Sequence, residues 1–97
     1  MVREGQRAYR PQALRGALAA YDRALALDPN DAGAWINKGT ALWGLKRFED
    51  AVDAYDKALA VDPNFALAWN NKAISLRALG QTREAEEAER MAKELGW

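Results

Sequence analysis

The chain has 97 residues, a length suited to one small domain with a modest core. Its 14 Lys and Arg balance its 14 Asp and Glu, and the basic residues form no run, which argues against a nucleic-acid or anionic-membrane partner. It has no Cys and no His, so disulfides, thiolate metal sites and the usual nucleophile–base pairs are excluded, and the expectation is a non-enzyme with no metal or cofactor.

The first stretch, residues 1–28, reads as a shortened helical pair. Its opening segment from Met1 to Arg7 carries no apolar run of the signal-peptide kind. No window reaches membrane-spanning length. The expected location is therefore the cytoplasm, for a whole protein or for a soluble piece of a longer one. Pro11 is expected to close the first helix early. Asp28-Pro29-Asn30 ends the second, because the residue before Pro is pushed out of the α region.

Residues 32–61 read as a complete pair. In 32–45, Trp35, Gly39 and Leu42 fall at i, i+4 and i+7 on one helix face. In 48–61, Phe48, Ala51, Val52, Tyr55, Ala58 and Leu59 make a second such stripe. Asp62-Pro63-Asn64 stops it. A third pair is expected over 66–95. Its last helix, 82–95, is rich in Ala and charge, as suits a terminal helix with an uncovered outer face. The acidic group Glu84, Glu86, Glu87 and Glu89 is read as a solvated face.

The pairs repeat. Asp28-Pro29-Asn30 returns as Asp62-Pro63-Asn64, an offset of 62 − 28 = 34. The same offset carries Ala20-Tyr21-Asp22 onto Ala54-Tyr55-Asp56, and Trp35, Asn37, Lys38 and Leu42 onto Trp69, Asn71, Lys72 and Leu76. The series Trp35, Gly39, Leu42, Phe48, Ala51, Tyr55, Ala58 and Pro63 resembles the tetratricopeptide-repeat signature in residue type and spacing. The resemblance covers essentially the whole chain. It implies an all-α fold of antiparallel helix–turn–helix units stacked as a right-handed α-solenoid. One domain over 1–97 is expected, with units at about 1–31, 32–65 and 66–97.

Trp35, Trp69, Tyr21 and Tyr55 are expected to fill the space between helices, and Gly39 and Ala73 to let the helices approach. The third unit departs from the second, with Thr82 in the place of Phe48 and Glu89 in the place of Tyr55. Lys38 and Lys72 are expected to lay apolar stems on the helix surface and leave their charges in solvent.

Each first helix carries a further stripe one residue round from the core. It comprises Ile36, Thr40 and Trp43 in the middle unit, with Asn37 beside it. The third unit has Asn70, Ile74 and Arg77, with Asn71 beside it. The first has Val2, Gln6 and Tyr9, with Arg3 beside it and Arg10 following. The resemblance implies that these residues face a concave groove that binds a protein or peptide. The candidate groove set is therefore Arg3, Gln6, Tyr9, Arg10, Ile36, Asn37, Thr40, Trp43, Asn70, Asn71, Ile74 and Arg77. Tyr9, Ile36, Trp43 and Ile74 supply apolar contact, the arginines positive charge, and Asn37 and Asn71 amides that both donate and accept.

Relatives that hold acidic chaperone tails use a carboxylate clamp of Lys, Asn, Asn, Lys and Arg. The matching places here are Val2, Gln6, Asn37, Leu67 and Asn71, of which only Asn37 fits, so such tails are not expected to bind tightly. Two other readings compete with a peptide-binding module. One is a self-association module, with a homodimer formed through the clipped N-terminal unit rather than the charged last helix. The other is an accessory segment of a larger enzyme.

Overall fold

The computed structural model describes residues 11–97, which form five helices and no strand. They are α1 (Pro11–Leu27), α2 (Ala32–Gly44), α3 (Phe48–Val61), α4 (Ala66–Ala78) and α5 (Thr82–Glu94). Each packs against its neighbours in sequence, so α2 with α3 and α4 with α5 make two antiparallel pairs, and α1 covers the open side of α2. This is the α-solenoid the 34-residue spacing calls for. Among the described residues no helix is long and apolar enough to cross a membrane.

The Asp-Pro-Asn turns are built identically. The Asp28 and Asp62 carboxylates each accept from the backbone N–H two residues on, at Asn30 and Asn64, at 3.1 Å. Trp35 Nε1 then donates back to the Pro29 carbonyl at 2.7 Å, and Trp69 Nε1 to the Pro63 carbonyl at 2.9 Å. Each tryptophan thus ties its helix to the preceding turn and satisfies its own N–H. Neither is deeply buried, contrary to the expectation for Trp35 and Trp69; both are half-buried, with one ring face against the core. Asp31 caps α2 by accepting from the Ala34 N–H at 3.0 Å. Pro11 stands at the start of α1, where the missing N–H costs nothing, and the helix expected before it lies outside the described residues.

Two apolar clusters form the core. One centres on Ile36, Leu42, Ala51, Tyr55, Ala58, Leu59 and Ala68, the other on Ala73, Leu76, Ala85 and Ala88. Tyr55 is 2% exposed, and Gly39 makes room for it. A Cβ on Gly39 would lie 2.6 Å from Tyr55 Cε1. The third unit changes both partners together, with Ala73 for Gly39 and Glu89 for Tyr55. Removing the ring is what lets a methyl group stand there.

The loops α2–α3 and α4–α5 share a left-handed position, Lys46 with φ 62° and Gly80 with φ 77°. Trp97, at the register of the Asp-Pro-Asn proline, is 58% exposed.

Candidate functional site

Two surfaces arise from the stacking. The first helices of successive units, α2 and α4, lie side by side and touch. Between them opens a shallow pocket of about 150 Å³ lined by Thr40, Trp43, Tyr55, Asn71 and Ile74. Four of these five were expected from the sequence stripes. The fifth, Tyr55, reaches through from α3, and its hydroxyl lies 3.2 Å from Thr40 Oγ1. Burial pushes the Tyr55 phenol above its ordinary pKa, an effect the Thr40 bond partly offsets, so the pocket floor is a neutral hydroxyl. Trp43 and Ile74 form its rim, 38% and 45% exposed. Leu67, on the same face of α4 one turn and more before Asn71, is 37% exposed. Asn37 is exposed beside this face, and Asn70 is half-buried.

Two members of the expected groove set behave differently. Ile36 is 4% exposed and belongs to the core cluster with Leu42 and Tyr55, so it offers no surface. Its position follows from α2 alone, and the packing of neighbouring helices covers it. Arg77 is not a free cation. Its guanidinium forms an ion pair with the Glu89 carboxylate of α5, and Arg77 Nε also donates to Glu89 Oε2 at 3.4 Å. The bond from Arg77 holds the Glu89 carboxyl below its ordinary range, with Lys93 adding a smaller attraction. Arg77 and Glu89 stand where the second unit has Trp43 and Tyr55, so the third unit replaces an aromatic wall by a charge pair. Arg3, Gln6, Tyr9 and Arg10 lie outside the described residues.

The second surface is on the other side of the sheet of helices. A cleft of about 390 Å³ lies among α1, α2 and α3, lined by residues that include Leu18, Asp22, Trp35, Lys38, Asp53 and Lys57. It recurs one unit on, where Trp69, Lys72, Glu84, Glu87, Ala88, Arg90 and Met91 line about 250 Å³. It is larger than the groove pocket, and several of its basic residues are already paired. Lys38 pairs with Asp22 at 2.8 Å, Lys72 with Asp56 at 2.7 Å, and Arg47 with Asp50 at 2.7 Å. Lys38 and Lys72 also lie 5.4 and 5.3 Å from the centroids of Trp35 and Trp69. Their charges are thus engaged, not left in solvent as the sequence suggested. The sequence carries this contact as two repeats at the same offset, Asp22/Asp56 and Lys38/Lys72. Recurrence at 34 residues marks this cleft as a product of unit packing.

Three profiles described as tetratricopeptide repeats match the chain, over residues 5–46, 32–65 and 54–87. No curated protein sequence matches it. Among solved structures, a crystal structure of MamA superposes with a TM-score of 0.83 at 25% identity, covering 86% of this chain and 48% of that one. MamA MSR-1 gives 0.82 at 27% identity, over 87% of this chain and 48% of that one. The chain thus spans about half the length of the MamA chains. The second such domain of Spaghetti (RPAP3), bound to the HSP90 peptide SRMEEVD, shares the fold with a TM-score of 0.82 at 22% identity, over 84% of this chain and 76% of that one.

Proposed function

Because the chain belongs to the tetratricopeptide repeat family, whose members are protein-interaction modules, we propose that its α2–α4 face binds an extended, uncharged segment of a partner protein. The observation that carries this reading is the pocket formed by Thr40, Trp43, Tyr55, Asn71 and Ile74. Its rim is apolar and its floor is a neutral hydroxyl, so it suits one aliphatic or aromatic side chain. Asn71 lines it and its repeat mate Asn37 is exposed on α2, and each amide can both donate to and accept from the backbone of a bound segment. Tyr9 and Gln6 extend the stripe by register, with Arg3 and Arg10 at its N-terminal end.

Charge narrows the ligand. Arg77 is neutralised by Glu89, and Asn71 and Leu67 occupy clamp places that hold Arg and Lys in binders of acidic tails. An anionic peptide terminus finds no cation among the described groove residues.

The test is calorimetry with two probes. One is a set of neutral extended peptides, each bearing one Leu, Ile or Phe. The other is the free peptide SRMEEVD. A neutral peptide should bind, and Trp43→Ala should weaken it by about tenfold or more, as for an aromatic anchor. The acidic peptide should not reach a sub-micromolar dissociation constant, which corresponds to about −8 kcal/mol. Binding of neutral peptides that is indifferent to Trp43→Ala defeats the reading.

A further inference from the structure

The rim of the pocket between α2 and α4 would accept any aliphatic or aromatic side chain, and the polar atoms inside narrow that choice. Thr40 Oγ1 and the Tyr55 hydroxyl lie 3.2 Å apart, and either can donate to the other. The usual O–H···O separation is about 2.7–2.8 Å, so this bond is long and leaves both oxygens able to engage a third group. Two hydroxyls carry two protons, and their mutual bond uses one. A phenol is more acidic than an aliphatic alcohol, which makes Tyr55 the donor and leaves the spare proton on Thr40. Tyr55 cannot retreat from this arrangement. It is 2% exposed, and its ring lies so close to Gly39 that a Cβ there would fall 2.6 Å from Cε1. Thr40, the next residue on α2, is exposed, so its proton is within reach of a ligand.

Asn71 lines the same pocket from α4, and its side-chain amide makes no hydrogen bond among the described residues. The pocket thus offers a hydroxyl donor from α2 and an amide donor and acceptor from α4, under a rim of Trp43 and Ile74. Its volume of about 150 Å³ has room for one side chain, well below the roughly 300–1,000 Å³ of a pocket for a drug-sized ligand. The hydroxyl pair is not a requirement of stacking. One unit on, Ile74 takes the place of Thr40 and Glu89 that of Tyr55, and α4 and α5 still form an antiparallel pair.

We infer that this pocket selects an uncharged side chain with an apolar stem and a primary-amide tip, that of glutamine, and that Thr40, held by Tyr55, is the residue that reads the tip. The inference rests on the α2–α4 face being the binding surface. The ligand amide oxygen accepts from Thr40 Oγ1, its N–H donates to the Asn71 side-chain oxygen, and the stem packs against Trp43 and Ile74. An aliphatic side chain of similar length displaces water from Thr40 and Asn71 and returns no bond, which leaves polar groups desolvated and unpaired. A glutamate of the same shape brings a charge to a pocket lined by no cation among the described residues.

The test is calorimetry with extended peptides that are identical except for Gln, norleucine or Glu at the central position. The Gln peptide should bind about tenfold more tightly than the norleucine peptide, and more tightly than the Glu peptide. Thr40→Val keeps the shape and removes the proton, and should reverse the order of Gln and norleucine. Thr40→Ser restores the hydroxyl and should keep the native order. Tyr55→Phe should bring the Gln-to-norleucine ratio close to one, since Thr40 loses the bond that aims it. Trp43→Ala should weaken both peptides alike, because it touches the stem and not the tip. Circular dichroism melts establish that each variant is folded. If no peptide binds, or if binding ignores Trp43→Ala, the α2–α4 face is not the binding surface and both readings fail. If the peptides bind and depend on Trp43, yet norleucine is preferred or Thr40→Val leaves the ratio unchanged, this inference alone is overturned.

Discussion

Gly39→Ala offers the sharpest check of how the helices are held together. The new methyl carbon would lie 2.6, 2.8 and 2.9 Å from Tyr55 Cε1, Cδ1 and Cζ. Carbon atoms rest at about 3.5–4.0 Å, so the ring or the helix must move by roughly 1 Å. Tyr55 has little freedom to yield. It is buried, and its hydroxyl is bonded to Thr40, the residue next to Gly39 on the same helix. Overpacking of this kind costs about 1–3 kcal/mol, and losing the Thr40 bond adds about 1 kcal/mol. Removing a glycine from a helix interior returns about 0.5–1 kcal/mol. The net is a destabilisation of about 1–3 kcal/mol, or a fall in melting temperature of roughly 5–20 °C for a domain of this size. Differential scanning calorimetry of the variant measures it. The third unit supplies the converse. Glu89→Tyr should destabilise in the presence of Ala73, and Ala73→Gly should relieve part of that loss. If Gly39→Ala melts at or above the parent temperature, the close approach of α2 and α3 is not a constraint and the coupled reading of Gly39/Tyr55 with Ala73/Glu89 fails.

Three further outcomes follow from the same contacts. Trp35→Ala should cost about 2–3 kcal/mol, below a full core truncation because the ring is half-buried, and more than Trp43→Ala, which loses no hydrogen bond among the described residues; thermal melts that rank them the other way would place Trp43 in the core. Ser75 Oγ is buried without a bonding partner where the preceding unit has Ala41, so Ser75→Ala should raise stability by about 1 kcal/mol in denaturant titrations. The folded-state pKa of Glu89 lies below its ordinary 4.5, so its pairing with Arg77 stabilises fully above that value and is lost as pH falls through the depressed one. The melting-temperature gap between parent and Glu89→Gln should therefore close on acidification, and a gap that widens contradicts the pairing.

The fold was legible because the signals for it are local and repeated. A 34-residue offset, helical stripes and Asp-Pro-Asn stops each report on backbone geometry within a few residues, and the five helices fall where they point. Ile36 was misplaced for a different reason. A helical wheel gives direction but not cover, and helix packing buries Ile36 while leaving Trp43, two turns on, partly open. Trp35 erred the other way. Its large ring suggested full burial, yet the Pro29 carbonyl draws the indole N–H toward the turn and leaves part of the ring outside.

The charged residues show what a repeat can and cannot disclose. Asp22 and Lys38 are 16 residues apart and on no common helix face, so periodicity within one helix says nothing of their contact. Across units, however, both recur together at 56 and 72, and a pair of positions that changes or persists jointly is the mark of a contact. The same logic reads Arg77 with Glu89, which depart together from Trp43 with Tyr55, and Ala73 with Glu89, which depart together from Gly39 with Tyr55. Three contacts between helices were therefore encoded in the comparison of the chain with itself. The groove pocket was not encoded in that way, because its members Thr40, Trp43, Asn71 and Ile74 do not repeat as a set. Structural contacts here are constrained by the next unit and so recur, whereas the pocket varies from unit to unit. That contrast is itself a reason to seek the partner at the α2–α4 face rather than in the cleft beside Trp35 and Trp69, whose Lys38–Asp22 and Lys72–Asp56 pairs are accounted for by stacking.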